Sequence, residues 1–172
     1  MANFTERMIG AARLDVRTYE EVEADKTAIR QAMAVVVLSS LAAGIGSIAK
    51  VGLLGLLTGT IASLIGWFIW AFLTYLIGTK ILPEPQTRSD VGELLRTIGF
   101  SSSPGLLRIL GVVPLIGGLI VVAASIWMLI AMVIAVRQAL DYTSTWRAVG
   151  VCIIGWIVLV IVAMFLGGFV GT

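Results

Sequence analysis

The sequence predicts an all-α polytopic membrane bundle of about five membrane segments. Three observations predict it. Of the 172 residues, 59% are hydrophobic and only 13% are charged, against roughly 25% charged in an ordinary soluble domain. Half of the charged residues lie in the first 30 positions, so the rest of the chain has almost no polar skin. The remainder reads as long apolar stretches broken by short polar runs. Disorder is excluded too, because it requires low hydrophobicity.

The first 30 residues form a polar cytoplasmic segment without the continuous apolar run of a secretory signal. Within residues 3–17, Phe4, Met8, Ile9 and Ala12 fall at helical spacing, with Arg7, Arg13 and Arg17 elsewhere around the helix. An amphipathic interfacial helix and a frayed terminus both fit that pattern. In residues 18–30, Thr18 and Glu21 have the capping-box spacing. Glu20, Glu21 and Glu23 crowd the first turns, where the helix dipole favours acid. Tyr19, Val22, Lys26, Ile29 and Met33 share one stripe, so the first span is expected to continue this helix unbroken. The three glutamates form an acidic collar that suits either a partner or water.

The membrane domain covers residues 31–172. Its first span is about 31–49 and its second about 57–79, with residues 51–57 expected at a turn and interface. A short helix is expected over about 90–99, capped by Asp90 with Glu93. Its apolar stripe of Val91, Leu94, Leu95 and Ile98 would lie on the inner membrane surface, and Gly99 would end it. Ser103 and Pro104 read as an N-cap and first helical residue. Pro114, Gly117 and Gly118 read as a break. Segments 104–113 and 118–137 then form a hairpin that leaves and returns on one side. Its first arm either spans with help from Gly99 and Phe100 or is re-entrant. The last segment is about 148–169.

Positive charge orients this topology. Eleven basic residues fall on one side, and only Lys50 falls on the other. The N-terminus is therefore expected in the cytoplasm and the C-terminus, ending Gly171–Thr172, outside.

Little chemistry survives the composition. There is no histidine and one cysteine, Cys152, which removes imidazole bases, imidazole metal ligands and any CxxC site. The net charge of +2 does not suggest a nucleic-acid partner. No Asp or Glu lies within a span, although intramembrane acids are the usual functional mark. Arg108 is expected to snorkel to the inner surface. Arg137, Gln138, Asp141 and Arg147 form a polar turn expected to pair with Glu93 and Arg96. Ser39, Ser40, Ser47, Ser63, Thr74 and Ser125 supply hydroxyls, but no GxSxG elbow or Ser-His dyad exists. No catalytic residue, cofactor or metal is expected. Small residues at four-residue spacing, such as Gly55, Gly59 and Ser63, allow close helix approach within or between chains.

Three stretches resemble the Yip family, named for eukaryotic members that interact with Rab-type GTPases. They are YEEVEAD at 19–25, GELLRTIGFSSSPGLL at 92–107 and AVRQALDYTSTWRAV at 135–149. The family commonly has a Gly-aromatic pair and then Pro entering its third segment, matched by Gly99, Phe100 and Pro104. The resemblance implies a five-segment all-α membrane protein without known enzymatic activity. The eukaryotic Asp-Leu-Tyr-Gly-Pro motif and a longer N-terminus are missing, which argues against Rab binding and for a prokaryotic plasma-membrane protein.

The leading functional expectation is a non-enzymatic scaffold or adaptor, membrane-shaping or trafficking-like. It has the lipid bilayer as partner, and room for a cytoplasmic protein partner or a homo-oligomer. The rival is a small channel or transporter for an ion or small solute. A sealed apolar bundle would favour the first, and a cleft reaching Arg108 the second.

Overall fold

The computed structural model describes the backbone of residues 2–170 and the side chains of residues 2–162 and Met164. The chain is all-α among the described residues. In order come α1 (Phe4–Ala12), α2 (Val16–Ala24), a 3₁₀ turn (Lys26–Ala28), α3 (Ile29–Gly46) and α4 (Ile48–Leu76). A π-helical turn (Ile77–Ile81) follows, then α5 (Val91–Ser101), a 3₁₀ helix (Ser103–Val112), α6 (Gly117–Ala139) and α7 (Thr145–Val170). Among the described residues, four stretches are long and apolar enough to cross a membrane: Lys26–Gly46, Ile48–Ile81, Gly117–Ala139 and Thr145–Val162.

The N-terminal segment is a helical hairpin. Asn3 and Glu6 close a reciprocal capping box at α1. At the other end, the amide of Asp15 donates to Gly10 and that of Leu14 to Ala11, both at 3.0 Å. This Schellman turn holds Leu14 at φ 64, a backbone state that costs a non-glycine residue about 1 kcal/mol. Asp15 then caps α2 by accepting from the Arg17 amide at 3.1 Å. The cap therefore sits three residues before Thr18, where the sequence pattern placed it. Thr18 instead packs at the hairpin crossing, where a Cβ on Gly10 would come within 2.2 Å of its hydroxyl.

The helix from this segment does not run unbroken into the first span. Asp25 leaves helical geometry at ψ 95, and its carboxylate accepts from the Thr27 amide at 2.9 Å. A new helix starts beyond it. The second span also differs from expectation, because α4 begins at Ile48 and includes residues 51–57. Only Gly52, at φ 65, departs from helical geometry there.

The largest revision concerns α5. It does not lie on a surface, since every residue from 94 to 101 is buried. It packs against α2, α3, α4 and α6, and the 3₁₀ helix continues it along α3. Three glycines permit this close approach. A Cβ would meet the Ala32 Cβ at 2.7 Å from Gly99, the Ser39 hydroxyl at 2.1 Å from Gly105, and the Gly46 carbonyl at 2.8 Å from Gly111. The two helices together rise about 36 Å, against a hydrocarbon core of about 30 Å. Ser103 is not a cap, because its hydroxyl donates back to the Phe100 carbonyl at 2.7 Å. Pro104 does stand in the first turn of the 3₁₀ helix. After Pro114, α6 returns antiparallel, with Met128 opposite Gly105 and Val121 opposite Gly111.

Nearly all charge collects at the end of the bundle formed by α1, α2, the loop before α5 and the α6–α7 turn. We term it the charged end, and the end around Gly46 and Pro114 the apolar end.

Candidate functional site

The charged end is held together by buried polar groups from distant parts of the chain. Arg7 on α1 is 2% exposed, and its guanidinium lies 2.9 Å from Glu21 and 2.8 Å from Asp25. A further bond of 3.0 Å reaches Gln31 at the start of α3. One arginine thus joins three helices. The Arg7 hydrogen bond holds the Glu21 carboxyl below its ordinary range. Asp25 is lowered to about 2, chiefly by the Thr27 hydroxyl and then by Arg7. Tyr19, fully buried, donates to the Ala11 carbonyl at 3.0 Å, and burial pushes its phenol up.

Arg96 does similar work without a carboxylate. It is 5% exposed, and its guanidinium donates to the Val22 and Glu23 carbonyls at 3.0 Å. These carbonyls end α2, where unpaired acceptors and the dipole both favour a cation. Glu93 caps α5 with Asp90, as the spacing predicts. Gly99 presses on Ala32, and Phe100 is fully buried edge-on to Phe4 at 6.5 Å between centroids. These two belong to the core.

The polar turn after α6 forms a second network. Tyr142 and Asp141 close a Schellman turn onto Arg137 and Gln138, both at 2.9 Å. Asp141 occupies its left-handed position at φ 53, a state that short polar side chains tolerate best after glycine. Arg137 donates to the Tyr142 and Thr143 carbonyls, so it braces its own turn. The Tyr142 hydroxyl donates to the Gly78 and Leu82 carbonyls at 3.0 and 2.7 Å, and burial raises its phenol to about 12. Glu84 accepts from the Thr143 amide and hydroxyl at 2.9 and 2.8 Å. Arg147 lies 3.4 Å from the same carboxylate. The amide bonds, with that of Thr143 first, lower Glu84 to about 2. The expected pairing of Arg137, Asp141 and Arg147 with Glu93 and Arg96 is therefore not made. Arg137 and Arg147 find nearer partners, and Glu84 supplies the carboxylate for Arg147.

Between α2 and this turn lies a groove of about 490 Å³, lined by Glu20, Glu23, Arg137, Gln138, Asp141 and Gln86, among others. Glu20 accepts from Gln138 at 3.2 Å. Glu23 is pushed up to about 7, first by burial and then by Asp141 and Glu93, with Arg96 opposing. Of the three glutamates in the collar, Glu20 and Glu23 face this groove, and Glu21 turns to Arg7. Among the described residues, no cluster of acids or cysteine is placed to hold a metal.

Arg108 lies elsewhere. It does not snorkel to the inner surface. Its guanidinium bonds the Ser39 hydroxyl at 3.0 Å and the Ser39 carbonyl at 3.3 Å, and Ser39 is well inside α3. Close by, a cleft of about 410 Å³ is lined by Arg108, Ser39, Ser40, Ser63, Trp67 and Trp70, among others. Pro104 is buried at the start of the 3₁₀ helix that carries Arg108.

The sequence reading missed Arg7, Asp25, Glu84 and Tyr142 as organising residues. Glu84 had a local signal, since it stands between Pro83 and Pro85 in an otherwise exposed loop. Arg7 had none, because its partners follow it by 14, 18 and 24 positions across a turn.

A family model described as the Yip1 domain matches residues 16–166. No curated protein and no solved structure matches the chain. The matched region runs from the start of α2 through most of α7, so it takes in the groove, the cleft and all four spanning-length helices. The chain belongs to the Yip1 domain family and is a multi-pass protein of the lipid bilayer.

Proposed function

We propose that the protein is a non-enzymatic membrane adaptor whose charged end faces the cytoplasm and receives a basic segment of a partner protein. The groove carries this reading. Glu20, Glu23 and Asp141 line one hollow, and its walls are braced by Arg96, Tyr142 and Glu84. A lysine or arginine entering it would favour ionised Glu23 and draw its pKa down from about 7. The positive-inside asymmetry supports the orientation. The combined length of α5 and the 3₁₀ helix supports reading them as a fifth crossing, and with it a C-terminus outside, at residues beyond those described. The missing eukaryotic motif supports a prokaryotic plasma membrane. A membrane-shaping role no longer follows from a short hairpin arm, because α5 extends that arm. It draws instead on the α1–α2 hairpin, which reaches Trp127 midway along α6 through a 2.8 Å bond to Ala12.

The test is reconstitution into liposomes, with vesicle imaging and cross-linking to partner proteins. A Glu20→Gln, Glu23→Gln, Asp141→Asn variant should lose the cross-linked partner while remaining folded. Partner recovery unchanged by the triple variant would sink the reading.

One observation favours a second reading, a small channel or transporter: the cleft reaches Arg108. Solute flux in liposomes that disappears with Arg108→Ala and Ser125→Ala would favour it over the adaptor.

A further inference from the structure

Arg108 is a cation within the bundle that lacks a counter-charge. Among the described residues no carboxylate lies within ion-pair distance of it. Its hydrogen bonds go to the Ser39 hydroxyl, the Ser39 carbonyl and the Gly105 carbonyl. A guanidinium has five N–H donors, so part of its capacity is unspent. A second lobe of about 320 Å³ is also lined by Arg108, with Ser101, Ser102 and Ser125 on its wall. Arg108, Ser102, Ile98, Met128, Met132 and Trp156 line both lobes. Trp70, 8% exposed, lines the larger one, and its indole N–H is a buried donor without an acceptor.

A cation without a counter-charge beside apolar walls is complementary to an anion that carries an apolar tail. Arginine binds carboxylate and phosphate through paired N–H bonds. The volume suits a headgroup and a few carbons, so a longer tail would remain in the bilayer. We propose that this cleft binds the carboxylate or phosphate headgroup of an anionic amphiphile, with Arg108 as the charge partner. The inference uses the same cleft as the transport reading but requires binding alone, so absence of flux leaves it standing.

The test is binding to the full-length protein in neutral detergent micelles. The probes are oleate and a phosphatidic acid, with oleyl alcohol and a phosphatidylcholine as neutral controls, and acetate and inorganic phosphate as tail-free anions. Anionic amphiphiles should bind at least about tenfold more tightly than their neutral controls and the tail-free anions. Arg108→Gln should remove that difference. Gly66→Leu tests occlusion without touching Arg108, because Gly66 lines the cleft and a Cβ there meets nothing within 4 Å. It should abolish binding in a folded protein even if Arg108→Gln fails to fold. Arg17→Gln, at the exposed α1–α2 turn, should leave binding intact. Equal binding of neutral and anionic amphiphiles, or full binding by Gly66→Leu, would overturn the proposal. Tail-free anions that bind as tightly as the amphiphiles would overturn the amphiphile assignment in favour of a simple anion site.

Discussion

At the charged end, Tyr19, Val22, Leu94, Phe100 and Leu140 are fully buried, and buried polar groups are matched to partners. At the apolar end, α4 presents Leu53, Leu54, Leu57, Ile61 and Ile65 at more than half exposure. The two ends differ because their solvents differ. Water drives apolar side chains together at the charged end. Lipid tails are as apolar as leucine, so the same side chains gain little by leaving them. The bundle therefore behaves as a close-packed polar-capped domain at one end and as lipid-facing helices at the other. Mutations of like kind should have unlike effects at the two ends.

The largest expected effect is at Arg96. Arg96→Met keeps most of the volume but leaves the Val22 and Glu23 carbonyls without their donor. It should cost about 2–3 kcal/mol, read as a fall of roughly 6–10 °C in Tm in detergent. A shift under about 2 °C would mean the carbonyls find water, and the charged end is less tightly closed than its geometry indicates.

Next comes a pair of glycines. Gly99→Val forces methyl groups onto the Ala32 Cβ and backbone, and should cost about 2 kcal/mol. Gly59→Val, at a site where a Cβ meets nothing within 4 Å, should leave Tm nearly unchanged. Equal losses from both would show that the apolar end is packed in solution, as it would be in a homo-oligomer.

A third prediction uses pH. Glu23 has a folded pKa of about 7 against an ordinary value of 4.5, so the folded state holds the proton more tightly. Its burial is therefore tolerated below pH 4.5 and increasingly penalised as pH rises toward 7. Glu23→Gln should raise Tm by about 2–4 °C at pH 8 and make little difference at pH 4.5. Identical shifts at both values would remove Glu23 as the titrating group. In the opposite direction, Glu84 and Asp25, both lowered to about 2, stabilise the fold above about pH 4 and lose that contribution as pH falls toward 2.

The smallest expected effect is Gly59→Ala. It relieves a helix glycine in open surroundings and should stabilise by at most about 1 kcal/mol. A loss instead would mean another surface sits on this face.

Much of the fold was readable because membrane helices announce themselves through local hydropathy. The four spanning-length helices, the Asp90–Glu93 box and the hairpin around Pro114 all follow from residues close in sequence. The misreading of α5 is instructive. Glu93, Arg96 and Thr97 on an 11-residue helix look like a solvated face. Glu93 is indeed spent on the local cap, but Arg96 is neutralised by carbonyls more than 70 positions away, and no local pattern carries that information. The candidate site was only partly readable for the same reason. Its acidic collar was visible, but which glutamate faces the groove and which faces Arg7 depends on the turn at Asp15.

By itself the sequence determined the class of the protein, its long apolar stretches and where charge collects. Those are one-body properties: each residue either tolerates lipid or does not, and their sum along 20 positions is decisive. The tertiary structure alone decided that α5 is core, that Glu84 rather than Glu93 meets Arg147, and that Arg108 turns inward to Ser39. Those are pair properties, and a charged side chain takes whichever partner the packing of distant helices brings within about 3 Å.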